Sequence, residues 1–333
     1  MKTEYFKKPF VAVIIVIMIC ILMLAVLVLN DCLPGISGLF QKDLNNAIFN
    51  RDGIVYKYDS ETGIISSIGN TGLPKYGPVL SPDGTRIAYR NAVFDTPDSA
   101  LQVGIMDRHG KILQVITIQS PYSNDILNLE WLGNNKIAVT GHVNPSTNEC
   151  FIFDAKTGKE LNRYAGYAFT PLPDESGVIY AENIPHGFGH LAYHSLMINE
   201  EVVFTAKNMG STFGTIAFSK NGRNVAFILR PPQDGNLPSK IVVAEYNRKN
   251  HAIKQLYEVD IPENTGGMLA FDEHGNMCIV EETIKHTFSR EDGKFTSTEV
   301  ELVSTRYEKL QNAVLKYFGG NPVEEIFDIT WMR

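Results

Sequence analysis

Cysteine is scarce in this sequence: four in 333 residues, of which only Cys32, Cys150 and Cys278 lie beyond residue 30. An odd number at no dense spacing is not a disulfide framework, so a packed core must hold the chain together. Several catalytic signatures are missing as well. No G-x-S-x-G stretch occurs, which removes the hydrolase nucleophile that such a motif would carry. There is no P-loop and no dinucleotide fingerprint, and the Asp-Gly pairs lack the D-x-D-x-D-G spacing of a calcium loop. Positive charge is not in excess either. The net charge is −7, and residues 31–333 alone carry about −9, so the chain is a poor binder of nucleic acid or anionic surfaces.

One long apolar run is present. Phe10 to Leu29 reads FVAVIIVIMICILMLAVLVL, twenty residues without a charge. At about 1.5 Å per residue this spans a hydrocarbon core of about 30 Å. A cleaved signal peptide is the competing reading. The run exceeds an h-region of about 7–15 residues, and no small-x-small cleavage site follows it. Lys2, Lys7 and Lys8 precede the run and Asp31 follows it. The positive-inside bias then puts residues 1–9 in the cytoplasm and everything after residue 30 outside. The expected organisation is a tail (1–9), an anchor (10–29), a stalk (30–45) and one outer domain (46–333).

The outer domain repeats itself. Pro78–Tyr89 reads PVLSPDGTRIAY; Thr215–Phe227 (TIAFSKNGRNVAF) and Met268–Val280 (MLAFDEHGNMCIV) follow the same plan. Weaker copies lie at Leu129–Val139 and Ala168–Tyr180. Each is strand, tight turn, strand. Pro82 sets φ at a turn corner and Gly84 supplies the left-handed residue; Asn221-Gly222 and His274-Gly275 serve alike. A second hairpin follows each first one, at Tyr58–Gly63, Met106–Gly110, Phe153–Gly158 and Ser289–Gly293. Tyr246–Asn250 places Asn where the others have Gly.

The repeat unit is therefore four strands long. Copies start roughly 40–53 residues apart, the range of propeller blades. Five complete units span 78–118, 126–164, 167–206, 213–259 and 267–303. Ala47–Ile68 and Glu325–Met332 are left over, and together they make a sixth blade closed by both chain ends. The predicted fold is all-β: a six-bladed β-propeller of four-stranded antiparallel blades, preceded by one transmembrane helix. Arg306–Phe318 has helical spacing of Tyr307, Leu310, Val314 and Tyr317, with a Thr305-x-x-Glu308 capping box, and is expected as a short helix on the propeller rim.

The Ser-Pro-Asp-Gly pattern at Pro78–Tyr89 resembles the TolB-type, WD-like propeller repeat, over about residues 47–332. That resemblance implies an extracytoplasmic binding or scaffolding module, and in some relatives the propeller half of a peptidase or a sugar lyase.

The residues themselves point to binding. The B–C connections are long and varied: Asn91–Ala100, His142–Glu149, Glu182–His190 and Arg230–Lys240. With the D–A connections they share one face, where partners are expected. His142, His186 and His190 are the candidate ligand-binding residues. His186, His190 and His194 recur every four residues, but in an extended strand such neighbours stand about 13 Å apart, too far for one metal ion. No catalytic residue, metal site or cofactor is assigned. The aromatics, Trp131 and Trp331 among them, fall at strand positions and read as core. The expected partners are the membrane, through the N-terminal helix, and a protein or envelope component on the B–C/D–A face, with no nucleic acid. A metal-assisted lyase or hydrolase acting on envelope carbohydrate is the alternative.

Overall fold

The computed structural model describes residues 46–331, apart from segments at 70–71, 92–100, 144–146, 184–193, 209–210, 232–237, 262–266, 273, 282–283, 292, 300–303 and 319–326. The anchor at 10–29 and the stalk lie outside the described residues, as does Cys32. Among the described residues no helix is long and apolar enough to cross a membrane.

The chain is a β-propeller of antiparallel sheets. Its first sheet contains β1 (Ala47–Arg51), β2 (Ile54–Asp59) and β3 (Ile64–Ile68). The second is β4 (Lys75–Leu80), β5 (Arg86–Asn91), β6 (Leu101–Asp107) and β7 (Ile112–Ile118). Then come β8 (Ser123–Leu132), β9 (Lys136–Val143), β10 (Thr147–Asp154), β11 (Glu160–Pro171), β12 (Val178–Glu182), β13 (Ser195–Ile198) and β14 (Glu201–Thr205). These seven form one continuous sheet. Another sheet holds β15 (Thr212–Phe218), β16 (Asn224–Arg230), β17 (Lys240–Tyr246) and β18 (Ile253–Asp260). The last holds β19 (Met268–Phe271), β20 (Met277–Glu281), β21 (Ile284–Ser289) and β22 (Lys294–Glu299). Helix α1 (Ser304–Phe318) follows, and β23 (Phe327–Trp331) returns to pair with β1, setting Ala47 opposite Trp331.

Four sheets are thus four-stranded blades, where six equal blades were expected. The difference lies in β11. Its first half pairs with β10 and its second half with β12, so one strand is shared where a turn was expected. The chain bends there without breaking: Ala168 has φ 52°, and the register slips between Tyr167 and Thr170.

Successive sheets pack face to face, which explains the apolar runs. Ile87 and Tyr89 face β1–β3 alongside Ile48, Val55 and Ile68, while Ala88 between them faces β8–β10 with Val139 and Phe151. All three residues are at most 1% exposed. Further cores follow the same rule, Phe227 with Phe213 and Ile179, and Ile241 with Leu269 and Ile279. The remaining face of the first sheet is covered by α1. Leu310 and Val314 pack on Ala47, Phe49, Tyr56, Tyr58 and Ile65. The helix lies on a blade face rather than the rim, and each of those two side chains contributes roughly 1.5–3 kcal/mol by burial.

The strong turn copies behave as their residues dictate, with Gly84, Gly222 and Gly275 at φ 68°, 63° and 82°. The weak ones do not. At 172–177 the left-handed residue is Glu175, not Gly177, and after β17 it is His251, not Asn250. Cys150 and Cys278 are buried free thiols.

Candidate functional site

Antiparallel order assigns every connection to one of two faces. Turns from first to second and from third to fourth strand share one face and run two to six residues, such as 81–85, 199–200 and 247–252. Across the opposite face the chain takes nine residues between β5 and β6, twelve between β12 and β13, and nine between β16 and β17, but only two or three at 52–53, 144–146 and 282–283. The long connection expected at His142–Glu149 is therefore mostly strand, with β9 and β10 running through it. Carboxylates cap the turns of the short-turn face. Asp59, Asp107 and Asp154 each accept backbone N–H bonds from their own turns, for example Thr157 N to Asp154 Oδ1 at 2.7 Å. Asp83 receives the Ser81 hydroxyl at 2.6 Å and the Thr85 amide at 3.0 Å, and the Ser81 bond above all holds its pKa below the ordinary value.

The long-loop face keeps its described polar groups at strand ends. Register sets His142, on β9, opposite Asp125 of β8 and Asn148 of β10. One strand over, Glu149 is 8% exposed, and its Oε2 accepts the hydroxyls of Ser120 (2.6 Å) and Ser123 (2.8 Å). His186 and His190, the other two histidine candidates, lie outside the described residues. Among the described residues no three His, Cys, Asp or Glu side chains converge on a metal position.

Three features were not read from the sequence. Lys75, at the start of β4, is 3% exposed, donates from Nζ to Leu73 O (3.3 Å) and sits 5.6 Å from the Tyr89 ring. Burial pushes its pKa down. Its carbonyl accepts Asn50 Nδ2 at 2.9 Å, and Asn50 Oδ1 is buried without a protein partner. Glu130, on β8, is pushed up by burial against a weaker opposing bond from Asn128 Nδ2 (3.1 Å). The third is a cleft of about 510 Å³ on the short-turn face, between the first two sheets, lined by Lys57, Ser66, Arg108 and His109 among others. A lysine opening a strand and a cleft between remote turns leave no periodic trace. Trp131 is structural, its Nε1 donating to Val79 O at 3.1 Å under the Arg86 guanidinium.

No protein-family model matches the sequence, and no curated protein matches it. Solved structures with similar folds include the β-propeller domain of the Trilobed protease from Pyrococcus furiosus, at 13% identity and TM-score 0.49, covering 76% of this chain and 81% of that one. The periplasmic gluconolactonase PpgL of Pseudomonas aeruginosa is similar at 12% identity and TM-score 0.49, over 77% of this chain and 83% of that one. TolB from Acinetobacter baumannii is similar at 16% identity and TM-score 0.38, over 77% of this chain and 63% of that one. At these identities the similarity names no ligand and no reaction.

Proposed function

We propose that this chain is a membrane-anchored, extracytoplasmic propeller that works as a protein- or ligand-binding or scaffolding module of the cell envelope. It has six blades when the seven-stranded sheet is counted as two blades sharing β11. The observation that carries the reading is the asymmetry of the two faces. One face is stitched into short capped turns; the other carries the three longest connections, 92–100, 183–194 and 231–239, beside shorter ones.

The tether supports the same reading. β1 is the second strand of its sheet, so it begins on the short-turn face, and the chain from the apolar run joins there. The long-loop face then points away from the membrane, toward a protein or envelope component. The acidic balance of the outer domain argues against nucleic acid.

Replacing Arg230–Lys240 by a two-residue turn tests this. The variant is expected to melt like the parent and to lose its cross-linked partner; retained capture would overturn the proposal. The competing metal-assisted enzyme predicts stoichiometric transition metal that disappears in a His186→Ala/His190→Ala double variant.

A further inference from the structure

We infer that the cleft between the first two sheets binds a phosphate-bearing organic anion. This stands on its own observations, whatever the long-loop face captures.

The position of each group follows from register. Ile48, Lys57 and Ser66 are successive cross-strand neighbours on β1, β2 and β3, so their side chains share the face that meets the second sheet. Toward the other face of the disc that surface is dry, with Val55 and Ile68 packed on Ile87 and Tyr89. At the short-turn end the two sheets part, and Lys57 and Ser66 face the turns 82–84 and 108–109 across the gap. One side is closed by backbone alone. A Cβ on Gly110 would lie 2.4 Å from Gly69 N, so the end of β3 touches the β6–β7 turn there.

Three basic side chains and one acidic one line this cleft. Lys57, Arg108 and His109 line it, and no protein carboxylate pairs with Lys57 or Arg108 among the described residues. Asp83 is the one acidic side chain in the lining, and its Oδ1 already receives Ser81, the Thr85 amide and the Thr85 hydroxyl. Asp59 and Asp107 nearby bond their own backbone amides and keep their charge, and Asp59 attracts Lys57 from the adjoining turn. Arg108 Nε donates to His109 Nε2 at 3.2 Å, which leaves the other imidazole nitrogen as a donor. The cleft therefore presents an ammonium, a guanidinium fork, an imidazole N–H and the hydroxyl of Ser66, each able to donate.

A tetrahedral anion with several acceptor oxygens fits that set better than a lone carboxylate. The space exceeds one phosphate, falling within the roughly 300–1,000 Å³ of small-molecule sites. Its floor is apolar, from Ile48, Ile68, Leu80 and Ile87. The ligand is thus an organic body carrying phosphate. A soluble phosphomonoester and a phospholipid headgroup share this chemistry.

The test uses the full chain, in zwitterionic detergent and in nanodiscs. Calorimetric titration with phenyl phosphate should show saturable one-to-one binding, with phenol at least tenfold weaker, if the source is soluble. Cross-linking from a photoreactive residue at position 82, on the rim of the lining, to lipid in phosphatidylglycerol nanodiscs, absent in phosphatidylcholine ones, assigns a headgroup instead. In either arm Lys57→Met and Arg108→Ala should each weaken binding at least tenfold, and Lys57→Arg should restore most of it, with melting temperatures unchanged. Lys111→Ala, outside the lining, should bind like the parent. No saturable signal in both arms, or equal binding by Lys57→Met and the parent, overturns the assignment.

Discussion

Asn46 Oδ1 accepts a hydrogen bond from the Ser60 backbone amide at 2.8 Å. That bond joins the first described residue to the β2–β3 turn, so the N-terminal chain leaves the propeller beside the short, capped turns. The face carrying the long connections is the opposite one.

With the proposed anchor, this gives an orientation that can be measured. With Cys20 and Cys32 replaced by Ser, a fluorophore at Thr62→Cys reports the short-turn face and one at Tyr122→Cys the long-loop face; Tyr122 is 67% exposed. In vesicles containing headgroup-nitroxide lipid, the label at position 62 should be quenched more strongly than the label at 122. Equal or reversed quenching would contradict the orientation.

The turn carboxylates predict the acid response. The Ser81 hydroxyl, and after it the Thr85 groups, hold the Asp83 carboxyl below its unfolded value of about 3.9. A depressed folded pKa gives stability that is complete above the unfolded pKa and is lost as pH falls through the folded one. Asp59, Asp107 and Asp154 are shifted the same way, by bonds from Thr62, Lys111 and Thr157 first of all. Melting temperature should hold between pH 5 and 7 and fall below about pH 4. Asp83→Asn should melt within a few degrees of the parent at pH 7, since Asn221 accepts the Ser219 hydroxyl (2.9 Å) in the equivalent turn. Its decline at acid pH should be shallower. An identical pH profile would show that Asp83 is not one of the groups responsible.

Gly110 is required by its surroundings as well as by its φ of 87°. Gly110→Ala should cost about 1–3 kcal/mol from backbone strain alone, and more because the new methyl meets the Gly69 backbone. Gly63→Ala shares a left-handed φ, 67°, but has open space around it, so it should cost less. Urea unfolding of the two variants separates steric contact from conformational strain; equal losses would assign the cost to φ alone.

The sequence was most readable where a local rule acts alone. Ser81-Pro82-Asp83-Gly84 declares its turn because Gly84 must be left-handed and Asp83 must cap, and the apolar run at Ile87–Tyr89 declares burial on both faces. The shared strand β11 could not be read: the repeat put one unit's end at 164 and the next unit's start at 167, yet tertiary pairing carried the strand through, with Ala168 at positive φ. Helix α1 was legible as a helix from its spacing, but its seat on Phe49 and Tyr56 depends on which sheet face stays uncovered. Of the long connections expected from the sequence, 92–100, 183–194 and 231–239 were legible, but His142–Glu149 was not, because pairing extends β9 and β10 to within three residues of each other. The cleft was not, because Lys57 and Arg108 meet only through packing of two separate sheets.

The most direct test of the binding account is site-specific photo-cross-linking in intact cells. A photoreactive residue at position 96 or 235, on the long connections, should capture the same discrete partner, and one at Thr62 or Glu291, on the short turns, should not. Capture from the short-turn positions alone, or from none of the four, would contradict it.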